Sequence, residues 1–161
     1  MSAHRATVEW TAAGGAFTEN RYSRAHSLRF DGGAVVPGSS SPQVVPEPMS
    51  DPAGVDPEEL LVASASSCHM LWFLDLARQA GLDVASYRDD AVGTLGRGSD
   101  GRLAITRIVL KPRVEFAGEA PDAAALERLH HEAHERCFIA SSLKAEIVVE
   151  QRYLRFRHRF G

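Results

Sequence analysis

Two cysteines, Cys68 and Cys137, are the side chains of this chain best suited to covalent chemistry. A thiolate is a strong nucleophile, but a buried helical cysteine commonly serves as a small apolar side chain, so residue type alone leaves both roles open. Small residues precede the first cysteine in "ASASSC", and they would let a ligand or another backbone approach its sulfur. Cys68 is therefore the candidate nucleophile.

The stretch "DPEELLVASASSCHML" predicts the helix that carries this thiol. Asp56 is a good N-cap, Pro57 suits the first helical position, and acidic residues in the first turn meet the positive helix end. Gly81 is a plausible C-terminal stop. Small and apolar residues surround nearly the whole circumference, which predicts a central buried helix.

Glu58 is the charged residue of this helix that could act on the thiol from a distance. It lies ten positions before Cys68, which is about 15 Å along a helix axis and too far for direct contact. A cation could bridge the gap, and an arginine has the length and the forked donors to do so.

The remaining elements predict an α+β fold in a single domain, residues 1–161. "ATVEW" and "YSRAHSLRF" read as an antiparallel hairpin, and a proline-rich stretch at about 36–57 reads as a long extended loop and candidate lid. "DDAVGTLGR" and "RLAITRIVLKPRVEF" flank the turn "GSDG", a second helix covers about 122–136, and Cys137 lies at or just past its end. A short helix in "FIASSLK" and a closing strand in "AEIVVEQRYLRF" complete the order.

Net charge and hydropathy restrict which classes of partner the chain is expected to bind. Its 161 residues carry a formal net charge of -3, which gives no general attraction to nucleic acid or anionic lipid. The N-terminus lacks the apolar core of a signal peptide, and no run is expected to reach the ~20 apolar residues of a membrane span. These features favour the cytosol, where a pair of cysteines would form only a transient disulfide.

The run "DPEELLVASASSC", together with the second cysteine in "CFIASSLKAEIVVE", resembles the OsmC/Ohr family of thiol-dependent peroxidases. The resemblance covers most of the chain and implies an OsmC-like fold of antiparallel sheets around two central helices, in an intertwined homodimer. It also implies an antioxidant enzyme of the oxidative stress response that needs no cofactor. The motif "SSCHMLWFL" and Phe138 after the second cysteine indicate a distinct subfamily.

The resemblance implies roles for particular residues. Cys68 matches the peroxidatic thiolate, Cys137 the resolving thiol, and Glu58 the glutamate that orients an activating arginine. Arg24 is the first candidate for that arginine, Arg21 the second and Arg29 the third. Cys68 would reduce an organic hydroperoxide to an alcohol and become a sulfenic acid, Cys137 would condense with it to a disulfide, and an external dithiol or lipoylated protein would reduce the disulfide.

Apolar residues near the thiols leave two functions open. Leu61, Leu71, Trp72 and Phe138 would favour bulky hydroperoxides if they line the site, although Leu71 and Trp72 suit a plain core better. A non-catalytic dimer of the same fold, binding an apolar small molecule between its helices with structural cysteines, is the alternative. Thiol behaviour separates the two, because a binding protein needs no disulfide between Cys68 and Cys137.

Histidines raise the question of a metal site or a base. His130, His134 and Cys137 stand at i, i+4 and i+7, and zinc accepts these ligand types. No Cys-x-x-Cys pair and no fourth ligand accompany them, so we expect a solvated polar face with Glu132 and Glu135, and no metal. His69 adjoins the thiol, but neighbouring helical positions diverge by about 100°, so it should pack or hydrogen-bond elsewhere. The tail "RYLRFRHRF" reads as an edge strand protected by arginines.

Overall fold

The computed structural model describes residues 1–151. Contacts within the chain divide it into two compact units, Met1–Leu61 and Val62–Gly161. The end of the predicted closing strand and the tail "RYLRFRHRF" lie outside the described residues, so the predicted arginine-protected edge is not addressed by the structure.

The described chain has the predicted α+β composition. Its helices are α1 (Pro57–Gln79), α2 (Ala123–Arg136) and α3 (Phe138–Ser142). Its strands are β1 (Ala6–Glu9), β2 (His26–Phe30), β3 (Val35–Gly38), β4 (Val84–Asp89), β5 (Val92–Arg97), β6 (Leu103–Leu110), β7 (Pro112–Phe116) and β8 (Glu146–Val149).

The first unit contains the sheet β1-β2-β3, antiparallel throughout. The predicted pairing of the first two strands is confirmed, with Val8 opposite Leu28. The proline-rich stretch begins as a strand and not as a loop, because Val35–Gly38 continues the sheet after the turn at 31–33. Its far end returns to the same place, since the Ser39 N–H donates to the Val55 carbonyl oxygen at 3.1 Å.

Helix α1 begins and ends where its sequence predicts. The Glu59 N–H donates to Asp56 Oδ1 at 2.7 Å, and the Asp56 N–H donates to Glu59 Oε2 at 3.1 Å, which is a reciprocal capping box. At the other end, Gly81 has φ of 74°, and its N–H donates to the Arg78 carbonyl while the Leu82 N–H donates to that of Ala77. These two hydrogen bonds satisfy backbone carbonyls of the last turn of α1. They require a residue that adopts a positive φ without strain, and glycine does so.

One face of α1 is buried and another is open. The buried residues recur every three or four positions: Ala65, His69, Phe73, Leu76 and Ala77. Ala63, Ser67 and Leu71 are exposed on a different face, and Leu71 retains 61% of its accessible surface. The prediction of a helix buried all round is therefore wrong for the single chain, and Leu71 is not a core residue.

The apolar character of α1 also bears on membrane association. By length and composition α1 could cross a bilayer, with a mean hydropathy of 1.4 in its most apolar window. The expectation that no run would reach this level is wrong. The same composition is typical of a core helix in a folded domain, and Phe73 and Ala77 of α1 are fully buried among side chains of the second unit.

The described part of the second unit, 62–151, contains two sheets. In the first, β5 and β6 form the predicted hairpin across "GSDG", and β8 joins β6 in parallel. The stretch predicted as one strand, 102–116, is two, because the chain breaks at Lys111 and restarts at Pro112, which has no N–H for a continuing ladder. The restarted strand, β7, pairs with β4 in a separate sheet. Strand β4 is absent from the sequence prediction.

Among the residues that the structure describes, two apolar clusters lie in the second unit. The first joins α1 to α2 through Phe73, Leu76, Ala77 and Ala133. The second joins α1 to β6 through Ala65, Ile108 and Leu110. Helix α2 has its predicted start, with the Ala125 N–H donating to the N-cap Asp122 at 2.7 Å, and the short helix α3 is also confirmed. Both clusters pack against the part of α1 that belongs to the second unit, and this part carries Cys68.

Candidate functional site

The structure brings the two cysteines together. Cys68 lies near the middle of α1, and Cys137 is both the C-cap of α2 and the N-cap of α3. Both are free thiols, and they lie close enough for the Cys68 side chain to raise the pKa of Cys137. Two thiols that are far apart in the chain therefore lie together, and they form the candidate site.

The surroundings of the two sulfurs differ. Cys137 is 1% exposed, whereas Cys68 is partly exposed. The Ala140 N–H donates to Cys137 Sγ at 3.3 Å. Burial, followed by the contact with Cys68, raises the pKa of the Cys137 thiol to about 11. Cys137 is thus a protonated thiol at neutral pH, and its hydrogen bond from Ala140 opposes this shift in part.

Two aromatic rings and a guanidinium that contact one another come from residues close to the cysteines in the chain, and we name them the aromatic rim: Trp72, Phe138 and Arg136. Trp72 lies one turn after Cys68, and its ring meets the edge of the Phe138 ring at a centroid distance of 5.6 Å. The Arg136 guanidinium lies 5.7 Å from the Trp72 ring centroid and pairs with Glu132 at 2.5 Å. Phe138, which follows Cys137 in the chain, is 71% exposed and presents an apolar surface.

The candidate activating residues lie in the first unit and have local partners there. Arg24 donates to the Tyr22 carbonyl at 2.6 Å and to Asn20 Oδ1, and its guanidinium lies 3.7 Å from the Tyr22 ring centroid. Arg21 pairs with Glu19 at 2.5 Å. In the same way, the third candidate, Arg29, pairs with Glu9 at 2.7 Å. Glu58 occupies the first turn of α1.

A buried histidine pair lies behind the cysteine-bearing face. His69 Nε2 and His130 Nδ1 are 3.0 Å apart, and the two rings are stacked. His69 therefore hydrogen-bonds away from Cys68, as expected. The prediction that His130 belongs to a solvated face is wrong, because His130 is 2% exposed and Phe73 stacks on its ring. Its place could have been recognised, since His130 continues the apolar stripe of Leu126 and Ala133.

Burial keeps both histidines neutral. It lowers the pKa of His130 to about 3, with His69 as a second cause, and that of His69 to about 4, with His134 as a second cause. In a neutral pair one ring donates and the other accepts. His69 Nδ1 is buried without a hydrogen-bond partner, so protonating His69 there would bury an N–H donor that has no acceptor.

His130, His131 and His134 also border an open groove of about 250 Å³ next to β8, together with Glu127, Ile147, Val149 and Gln151. Within residues 1–151, no group of three or more histidine, cysteine or acidic side chains is arranged to hold a metal ion. His130 contacts His69, and Cys137 contacts Cys68 and Ala140. The sequence spacing of His130, His134 and Cys137 therefore does not form a ligand set.

Comparison with known proteins identifies the family of the chain. The profile of the OsmC-like protein family matches residues 50–152, which include α1 and both cysteines. A search of curated proteins found no match. Among solved structures, an OsmC-like protein of unknown function from Vibrio cholerae is 51% identical, with a TM-score of 0.92, over 94% of this chain and all of the other.

More distant structures share the fold. The organic hydroperoxide resistance protein OhrB of Bacillus subtilis is 20% identical with a TM-score of 0.64, covering 92% of this chain and 98% of its own. An organic hydroperoxide resistance protein from Elizabethkingia anophelis is 16% identical with a TM-score of 0.65, covering 94% of each chain. With the profile match and the similarity to the Vibrio protein, these results show that the chain belongs to the OsmC-like protein family.

Proposed function

We propose that this protein is a thiol-dependent peroxidase that reduces organic hydroperoxides to alcohols. The observation that carries the proposal is the contact between two free thiols, Cys68 and Cys137, from separate helices. A binding protein needs no such pair, whereas a two-cysteine peroxidase needs its second thiol within reach of the first. The organic hydroperoxide resistance proteins with the same fold support the choice of substrate class.

The first chemical step belongs to Cys68, which is the more exposed sulfur. Its thiolate attacks the terminal oxygen of the hydroperoxide, the O–O bond breaks, and the alkoxide takes a proton to leave as an alcohol. The peroxide gains two electrons and the sulfur loses them, which leaves a sulfenic acid on Cys68. Glu58 and an arginine, Arg24 first and Arg21 second, are the proposed activating pair, and a guanidinium beside the sulfur would favour the thiolate.

The second step belongs to Cys137. Its sulfur attacks the sulfenic sulfur of Cys68, a disulfide forms, and the hydroxyl group departs as water after taking a proton. An external dithiol, either a small molecule or the lipoyl group of a protein, then restores both thiols. We propose the reducing cytosol as the location. The aromatic rim supports a preference for bulky apolar hydroperoxides over hydrogen peroxide, because Trp72 and Phe138 offer it apolar surface.

Free-thiol counting tests this function. Treatment with one equivalent of cumene hydroperoxide should remove both thiols of the wild-type protein, because the sulfenic acid formed on Cys68 condenses with Cys137 to a disulfide. Cys68→Ser should lose none, since Cys137 is buried and protonated. Cys137→Ser should lose one and yield a sulfenic acid that dimedone traps on Cys68. Intact mass spectrometry measures each product.

Thiols of the wild-type protein that stay reduced for minutes would exclude the peroxidase. The alternative, an apolar-ligand binding protein with structural cysteines, would then explain the fold and the exposed apolar residues. The matched pair of serine variants also separates a true two-cysteine mechanism from unselective oxidation, because unselective oxidation would proceed in Cys68→Ser as well.

We also propose that the functional form is a homodimer in which the open face of α1 is covered by a second copy. Leu71 is 61% exposed on that face, and the small residues Ala63 and Ser67 precede it there, which permits close packing of a second helix. Burying such a side chain contributes about 1.5–3 kcal/mol per copy. Leu71→Glu should therefore convert the protein to monomers, whereas Leu103→Glu, a comparable change at a residue 65% exposed on β6, should not.

Sedimentation velocity measures the outcome of this pair of variants. A wild-type mass of one chain at micromolar concentration would exclude the homodimer. A Leu71→Glu protein that remains dimeric would exclude the open face of α1 as the interface, and it would leave the proposed peroxidase chemistry unaffected.

A further inference from the structure

We infer that the external dithiol attacks the sulfur of Cys68, so that reduction passes through a mixed disulfide on Cys68 and Cys137 is the leaving group. The inference rests on the proposed function, in which the oxidised protein carries a disulfide between these residues. It states which sulfur of the disulfide the reductant attacks first. The two sulfurs have the same chemistry, and the choice follows from their different surroundings in the protein.

Access to the two sulfurs is unequal. A thiolate displaces a sulfur from a disulfide by approaching along the S–S axis, from the side opposite the bond that breaks. To attack Cys137, a reductant would have to come from the side facing away from Cys68, where Cys137 is only 1% exposed. To attack Cys68, it approaches a sulfur that is partly exposed on α1. Burial therefore directs the reductant to Cys68.

The protein also holds a donor where the departing charge forms. When the disulfide breaks, the electron pair of the S–S bond remains on Cys137, and the Ala140 N–H points to this sulfur at 3.3 Å. The contact with Cys68 is one cause of the raised pKa of Cys137. That contribution is absent while Cys68 is bound to the reductant, because Cys68 then has neither a proton nor a charge.

The electrons and protons balance over two exchanges. The first thiolate of the dithiol bonds to Cys68 Sγ, the bond between the cysteines breaks, and Cys137 takes a proton. The second thiolate of the dithiol then attacks the dithiol sulfur that is bonded to Cys68. A cyclic disulfide forms, and Cys68 leaves as a thiolate. The dithiol is oxidised to a cyclic disulfide by two electrons, which reduce the protein disulfide to two thiols.

Peptide mapping of a trapped mixed disulfide tests the inference on the full chain. Diamide forms the protein disulfide without any peroxide, 2-mercaptoethanol then serves as the probe because it lacks a second thiol, and iodoacetamide alkylates the released cysteine. Trypsin separates the two sites, since Cys137 begins the segment between Arg136 and Lys144, whereas Cys68 lies between Arg29 and Arg78. We expect the probe on Cys68 and the alkyl group on Cys137, in an excess of at least about tenfold. The reverse pattern, or equal amounts, would overturn the inference.

A second measurement covers the case in which no mixed disulfide accumulates. Cys137→Ser and Cys68→Ser are each loaded with 5-thio-2-nitrobenzoate at the remaining cysteine, and dithiothreitol releases the coloured thiol. Release from Cys68 should be at least about tenfold faster than from Cys137, and native Cys137 that resists loading but reacts after unfolding counts as the same result. Equal rates would exclude the inference. Because neither measurement uses a peroxide, a failure of the peroxidase proposal would be recognised separately in the cumene hydroperoxide experiment.

Discussion

Lowering the pH from 7 to 5 should reduce the free energy of unfolding by about 4 kcal/mol, through the buried histidine pair alone. His69 and His130 have pKa values of about 4 and about 3 in the folded protein, chiefly because of burial, and about 6.5 in the unfolded chain. Below pH 6.5 the unfolded chain therefore binds protons that the folded protein does not. As the pH falls below 6.5, each histidine lowers the free energy of unfolding by about 1.4 kcal/mol per pH unit. The decrease ends when the pH reaches the pKa of that histidine in the folded protein.

Urea unfolding followed by tryptophan fluorescence, at one fixed protein concentration, measures this dependence. The loss is large compared with the ~5–15 kcal/mol that stabilises a typical domain. His130→Gln removes one of the two proton-binding rings and should leave a loss of about 2 kcal/mol between pH 7 and 5. His131→Gln is the matched control, since His131 is the adjacent residue of α2 but is exposed. An unchanged pH dependence in His130→Gln would contradict the assignment to the buried pair.

The same histidines show what the sequence could and could not predict. The ends of α1 were predictable because capping depends on residues within four positions of each other, such as Asp56 with Glu59. His130 lies in register with Leu126 and Ala133, so its burial was open to prediction. Its partner was not, because His69 is on another helix and no local pattern encodes their contact.

Local sequence patterns were equally unable to predict the strand pairing and the contact between the two thiols. The pairing of β4 with β7 joins Val84 to Phe116, and neither strand contains a signal for the other. The contact between Cys68 and Cys137 is still more distant in the chain, and only the family resemblance predicted it. For the activating arginine even the resemblance left several candidates, because Arg24, Arg21 and Arg29 occur in one short stretch with similar spacing.

The rate at which the disulfide forms from the Cys68 sulfenic acid should rise about a hundredfold between pH 7 and pH 9. Only the thiolate of Cys137 attacks a sulfenic sulfur effectively, and burial, followed by the contact with Cys68, raises the pKa of this thiol to about 11. Over this range the thiolate fraction grows about tenfold per pH unit. Formation of the sulfenic acid removes the contribution of Cys68, but burial, which is the larger cause, remains.

Rapid quenching measures this step apart from the first one. The protein reacts with one equivalent of cumene hydroperoxide, acid stops the reaction at successive times, and intact mass separates the sulfenic acid from the disulfide. Cys137→Ser provides the control, because its sulfenic acid should persist at every pH and should be over-oxidised when peroxide is in excess. At pH 7 the wild-type protein should also be over-oxidised in part by excess peroxide, because slow disulfide formation leaves its sulfenic acid exposed to a second peroxide molecule. A rate of disulfide formation that does not change between pH 7 and 9 would mean that Cys137 reacts as a preformed thiolate, in conflict with its burial.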